Sequence, residues 1–130
     1  MPMSTAVTRG VRIEVESEYL PERSDPMRHT YYFAYHIRIT NEGEKTVQLI
    51  SRHWNITNEE GKTEEVNGPG VVGEQPVLEP GDSFEYSSFC PLNTPMGTMH
   101  GSYQMVLDNG EQFDATIAPF TLAEEPVTYH

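Results

Sequence analysis

The residues most suggestive of chemistry are Gly68-Pro69-Gly70-Val71-Val72-Gly73, a G-x-G-x-x-G match. In a dinucleotide-binding fold such glycines let the backbone approach a pyrophosphate at the N-terminus of a helix. Here Pro76 and Pro80 follow too closely for a useful helix to begin after Gly73. No strand–helix–strand pattern surrounds the motif. The spacing therefore predicts a glycine-dependent loop between strands. Successive backbone N–H groups in such a loop can still cradle an anion without a helix. A phosphate or dinucleoside polyphosphate bound there would have to overcome the charge of Glu64, Glu65 and Glu74.

Five histidines, His29, His36, His53, His100 and His130, are the next candidates. None forms a close ligand pair of the H-x-H or H-x-x-x-H kind, and no cysteine set accompanies them, so no metal site is assigned. His36, His53 and His100 fall on three different predicted strands and would meet only if the register allowed it. Glu59-Glu60 and Glu64-Glu65 are spaced like a solvated hairpin edge rather than a calcium loop. Ser87-Ser88 lacks the G-x-S-x-G elbow of a nucleophilic serine. The single cysteine, Cys90, stands before Pro91 with no activating base near it in sequence, and reads as a small packed residue. No acid, base and nucleophile set can be assembled, so the reading is non-enzymatic, with no catalytic residue and no cofactor.

Composition sets the frame that must position these groups. A chain of 130 residues fits one domain and buries roughly two-thirds of its unfolded surface. It needs no disulfide, and one cysteine can form none within the chain, which fits a reducing, cytoplasmic setting. Asp and Glu number 20 against 8 Lys and Arg, a net charge of −12. Such a surface repels nucleic-acid phosphates and anionic membranes. No apolar stretch approaches the ~20 residues of a membrane helix, and residues Met1 to Thr8 lack the apolar core of a signal peptide.

Hydrophobicity alternates with a period of two almost throughout, the mark of half-buried strands. Val11, Ile13 and Val15 alternate with charged residues. Tyr31, Phe33, Tyr35, Ile37 and Ile39 share one face of the strongest strand, Thr30 to Thr40. In Thr46 to Thr57, Ile50, Trp54 and Ile56 share a face, while Val47 and Leu49 fall on the other. A bulge near Ser51 or Arg52 would reconcile them. Trp54 then packs inward and His53 outward. Further strands are predicted over Lys62 to Val66, Ser83 to Phe89, Thr98 to Asp108 and Glu111 to Phe120, with Val77-Leu78 a brief extended piece. Asn109-Gly110 marks a hairpin, Glu22 to His29 and Pro91 to Pro95 read as irregular, and the tail from Leu122 reads as loosely held. No amphipathic helix is found. About seven strands at these spacings define an all-β, antiparallel, immunoglobulin-like or fibronectin type III-like sandwich.

Several segments carry a more specific signal. They are Ser51-Arg52-His53-Trp54-Asn55-Ile56-Thr57, the run Glu65 to Pro76, Leu78-Glu79-Pro80-Gly81, Thr94 to Met99, and Gly101-Ser102-Tyr103. In order and spacing, from about residue 8 to residue 122, the chain resembles the ApaG family. The resemblance implies a fibronectin type III-like sandwich and a small bacterial cytosolic protein. It also implies a link to cobalt resistance and magnesium efflux, without a defined molecular activity. Related eukaryotic domains, in an F-box protein and in a protein that interacts with DNA polymerase delta, imply protein–protein contact. The family's glycine motif falls on Gly68, Gly70 and Gly73.

The sequence thus reads as a single ApaG domain over residues 1–130, with a sandwich core at about 8–122 and short flexible termini. Its expected role is a binding module for an unknown protein partner. Gly68, Gly70, Gly73, Arg52, His53 and Trp54 are the candidate contact residues. The alternatives are direct binding or sensing of magnesium or cobalt, and a pyrophosphate-containing ligand at the glycine loop. An exposed edge strand could support a homodimer.

Overall fold

A computed structural model describes residues 3–124. Alternation dictates its elements. Among the described residues nine strands form: β1 (Met3–Thr8), β2 (Val11–Tyr19), β3 (Tyr31–Asn41), β4 (Val47–Asn58), β5 (Thr63–Pro69), β6 (Val77–Leu78), β7 (Ser83–Leu92), β8 (Met96–Leu107) and β9 (Gln112–Ala123). Between β2 and β3 the chain makes two short 3₁₀ turns, Pro21–Arg23 and Pro26–Arg28, each begun by the proline that presets its φ.

All pairings between strands are antiparallel, in two sheets. One has the order β1-β2-β3-β7; the other has the order β5-β4-β8-β9, with β6 beside the first residues of β4. The inner faces carry the core. Val11, Ile13 and Val15 of β2 and Phe33, Ile37 and Ile39 of β3 lie against Met99, Tyr103, Met105, Ile117 and Leu122 of the facing sheet, all essentially buried. Along one side the sheets are laced together, where Ser17 Oγ donates to Thr121 O at 2.7 Å and Ser4 Oγ to Ala118 O at 2.9 Å. The other side, between edge strands β5 and β7, stays open as a cleft of about 280 Å³.

The all-β sandwich expected from alternation is the architecture observed. Several expectations along the chain are corrected. Met3–Thr8, not read as a strand, pairs with β2 through a two-residue turn at Arg9-Gly10, both at positive φ. Pro91, expected to be irregular, lies inside β7, an edge strand where a missing N–H breaks no inner ladder bond. Of the tail, Leu122 and Ala123 are held in β9, with Leu122 fully buried, while residues 125–130 lie outside the described residues. The expected bulge in β4 is present: its register against β8 shifts between Leu49 and Ser51. The shift brings Val47 and Leu49 onto the buried face with Trp54, and leaves Ile50 half-buried beside the outer groove. No described helix is long and apolar enough to cross a membrane.

Candidate functional site

Strand β4 sorts the three candidate residues by alternation. Trp54 is interior, 2% exposed, and not at the surface. Tyr35, Phe120 and Tyr103 surround it in edge-on arrangements with ring centroids at 5.4, 6.0 and 6.4 Å. Its indole Nε1 is buried without an oxygen or nitrogen acceptor. The neighbouring strand β8 can pair this closely because residue 101 is glycine. A Cβ there would lie 1.9 Å from the His53 carbonyl oxygen.

Arg52, two residues before Trp54, points to the same side at the sandwich rim, and its guanidinium crosses to the neighbouring strand. Its Nη1 donates to Pro69 O and to Gly70 O, each at 3.0 Å. Gly68, paired with Arg52, makes the room: a Cβ on Gly68 would sit 2.8 Å from Arg52 Nη2. Arg52, His53 and Trp54 therefore do not form one surface. Of the three, His53 points to the outer face of the sheet, Trp54 lies in the core, and Arg52 sits at the rim between the two, bordering both the cleft and the outer groove.

Beyond Pro69 the glycine motif folds into a minimal hairpin. Val71 N–H donates to Glu74 O at 2.8 Å and Glu74 N–H returns to Val71 O at 2.9 Å. Between them Val72 and Gly73 have φ of 42° and 82°, a two-residue turn of type I′. Gly70 N–H donates to Ile50 O at 2.8 Å, tying the loop to β4, and the fully buried Val71 side chain anchors it. Gly70 has φ 60°, and a Cβ there would fall 2.2 Å from Glu74 O. Each motif glycine thus has a reason within the fold. The N–H groups of Gly70, Val71 and Glu74 are already spent on carbonyls, and no helix follows Gly73.

Beside this hairpin the outer face of the five-stranded sheet forms a groove of about 450 Å³, whose walls include Arg52, His53, Asn67, Gly68, Gln104 and Asp114. Cross-strand register assembles it, with Asn67, His53 and Ser102 in one row and Ser51, Gln104 and Asp114 in the next. His53 Nδ1–H donates to Asn67 Oδ1 at 2.5 Å, and its Nε2 accepts from Asn55 Nδ2 at 3.3 Å. The same Nε2 lies 3.4 Å from Glu65 Oε1, an ion pair once the imidazole is protonated. Ser51 Oγ donates to Gln104 Oε1 at 3.2 Å. Carboxamides, hydroxyls and an imidazole held this way offer donors and acceptors together, which suits polar backbone and side-chain groups.

The structure also assembles a constellation the sequence did not disclose. His36 Nδ1 is 2.9 Å from Ser87 Oγ, and His36 Nε2 is 3.0 Å from Glu85 Oε1. The hydrogen bond from His36 holds the Glu85 carboxyl below its ordinary value. Serine, histidine and glutamate in this order are the components of an activated nucleophile. They lie, however, on the outer face of the four-stranded sheet, with His36 and Glu85 side chains 46% and 54% exposed. Such catalysis depends on donors preorganised in a water-excluded site, whereas here the three groups form a cross-strand polar row open to solvent. Glu85-x-Ser87 on a strand was the available signal, but the pairing of β3 with β7 was not legible. Cys90 is buried, and burial pushes its thiol up to about 12.

The four described histidines do not gather at one place. His29 caps the second 3₁₀ turn in a left-handed conformation, His36 is on one sheet, and His53 and His100 are on the other. Among the described residues, no group of three or more His, Cys, Asp or Glu is placed to hold a metal ion. His130 lies outside the described residues.

Fold and groove together define a class: a two-sheet antiparallel sandwich with a polar outer groove and a clipped glycine hairpin. The sequence matches the ApaG domain family over residues 21–107. It is 58% identical over 120 residues to Protein ApaG from Anaeromyxobacter dehalogenans strain 2CP-C, covering 92% of this chain and 94% of that one. It is 58% identical over 121 residues to Protein ApaG from Aromatoleum aromaticum, covering 93% and 95%. A Bordetella pertussis crystal structure, assigned as ApaA, superposes with a TM-score of 0.85 at 53% identity, covering 87% of this chain and 92% of that one. The chain belongs to the ApaG family.

Proposed function

We propose that this chain is a non-catalytic binding module, working in the cytoplasm, that contacts another protein through the outer groove and the adjoining glycine hairpin. The observation that carries this reading is the Arg52 clip: a loop rich in glycine is held fixed beside a groove of mixed donors and acceptors. Preorganisation of this kind reduces the ordering cost of binding. The free outer edge of β5 adds a second recognition element. A protein suits the site better than a phosphorylated ligand, because three loop amides are committed and the groove wall carries Asp114. Affinity capture from native cytosol, read by mass spectrometry, tests it. The wild-type chain should retain a specific protein that a His53→Ala/Asn67→Ala variant of equal thermal stability releases. Equal retention by both would remove the groove from the account.

A further inference from the structure

The tip of the glycine hairpin carries a residue at odds with its backbone. A type I′ turn needs positive φ at both central positions, which Asn, Asp and Gly supply readily. Val72 occupies the first of them at φ 42°. A β-branched side chain in the left-handed region is a genuine outlier, and it costs stability. The residue is also 56% exposed, so packing within the chain does not offset that cost.

A second turn in the same molecule provides the comparison. Arg9-Gly10 joins β1 to β2 with φ of 48° and 83°. There the left-handed residue is unbranched, and its guanidinium pairs with Glu111 and lies 5.0 Å from the centroid of the Phe113 ring. The Arg9 side chain has contacts that reward its position. Val72 sits in the same conformation with an apolar, branched side chain directed largely into solvent. Observed strain of this sort points toward function.

We infer that Val72 is an apolar knob that the rigid hairpin inserts into a socket on the partner protein. The inference rests on the proposed protein-binding role and names the chemistry of the contact. The socket is apolar and sized for a branched aliphatic side chain. Its rim is basic, because the hairpin also presents the exposed Glu74 and the chain carries a net charge of −12. The hairpin is rigid enough to deliver the knob, since both of its legs are pinned to β4: Gly70 N–H and Gln75 Nε2 donate to Ile50 O, and Gly70 O accepts from Arg52.

Three substitutions at one position separate strain from contact. Val72→Gly relieves the backbone and removes the side chain, Val72→Asn suits the turn but is polar, and Val72→Ile keeps a branched apolar group. Each is compared with the wild type by thermal unfolding and by quantitative capture from native cytosol. Val72→Gly should raise Tm by about 3–5 °C. It and Val72→Asn should lower the captured partner by about tenfold or more, while Val72→Ile holds it near the wild-type level. Glu74→Lys should weaken capture and flatten its dependence on salt. Unchanged capture by Val72→Gly, or no gain in its Tm, overturns the inference. If capture is lost in the His53→Ala/Asn67→Ala variant yet indifferent to position 72, only the knob falls. If the wild type captures no protein, the binding role falls with it.

Discussion

The Nη1 group of Arg52 donates to the carbonyl oxygen of Gly70, 18 residues later in the chain, across 3.0 Å. The same nitrogen also reaches Pro69 O at 3.0 Å. One side chain from the middle of β4 thereby fixes the exit of β5 and the entrance of the glycine hairpin. Removing it should loosen the loop before it loosens the sandwich.

Arg52→Ala should cost about 1.5–3 kcal/mol, the range for hydrogen bonds to a charged group. Arg52→Lys should fall between, because an ammonium on a flexible stem lacks the rigid planar group that holds the Nη1 donors on both carbonyls. Hydrogen exchange locates the effect: amides of Gly70, Val71 and Glu74 should exchange faster while those of β2 and β3 stay protected.

The glycines should separate by cause. Gly73 has φ 82° and open space around it, so Gly73→Ala should cost only the left-handed backbone penalty, about 1–2 kcal/mol. Gly70 adds a collision, with a Cβ 2.2 Å from Glu74 O, and Gly70→Ala should cost more. Gly101→Ala, with a Cβ 1.9 Å from His53 O, forces β4 and β8 apart and should be the most damaging of the three. Denaturant midpoints rank them. Gly70 is consequently a poor probe of binding, since any side chain there perturbs the fold.

Alkali should unfold the protein through buried acids. Burial raises the Cys90 thiol to about 12 from an ordinary 9.0 and raises the phenols of Tyr86 and Tyr103 above an ordinary 10.0. The two tyrosines hydrogen-bond to each other in the core. In each case the folded chain favours the neutral form. Their contribution is whole below the unfolded values and is lost as pH rises toward the folded ones. Stability should therefore decline from near pH 9, and Cys90→Ala should delay the onset toward pH 10. At neutral pH the thiol, only 3% exposed, should react with alkylating reagents no faster than the protein opens.

The Ser87–His36–Glu85 row should prove structural. Ser87→Ala should cost less than about 1 kcal/mol and leave hydrolysis of p-nitrophenyl acetate at the background of the wild type. His36→Ala should return the Glu85 carboxyl upward, toward its ordinary 4.5, as read by carbon NMR. The present hydrogen bond favours the carboxylate, so its small stabilisation exists above that ordinary value and fades as pH falls through the lowered one.

Much of the sandwich was legible because its strands alternate cleanly. Tyr31, Phe33, Tyr35, Ile37 and Ile39 were expected on one face and are all buried. The β4 bulge was legible from a break in that alternation at Leu49. Strand β1 was not, since Ser4, Thr5 and Thr8 leave no clean apolar face and its anchor across the sandwich, Ala118, is remote in sequence. The candidate site was legible as a list of residues but not as a geometry. Nothing local told that Arg52 would cross Gly68 to clip the loop, or that Val72 would take a conformation its branching disfavours. Those depend on register between strands, which a single sequence leaves open.

The outer groove is the surface on which the binding role stands. Site-specific photo-crosslinking tests it most directly, with a benzophenone amino acid placed at His53 in the groove or at Glu18 on the outer face of the opposite sheet. Irradiation in native cytosol should yield one discrete protein adduct from position 53 and none from position 18. No adduct from position 53, or the same adducts from both, would contradict the assignment of the groove as the contact surface.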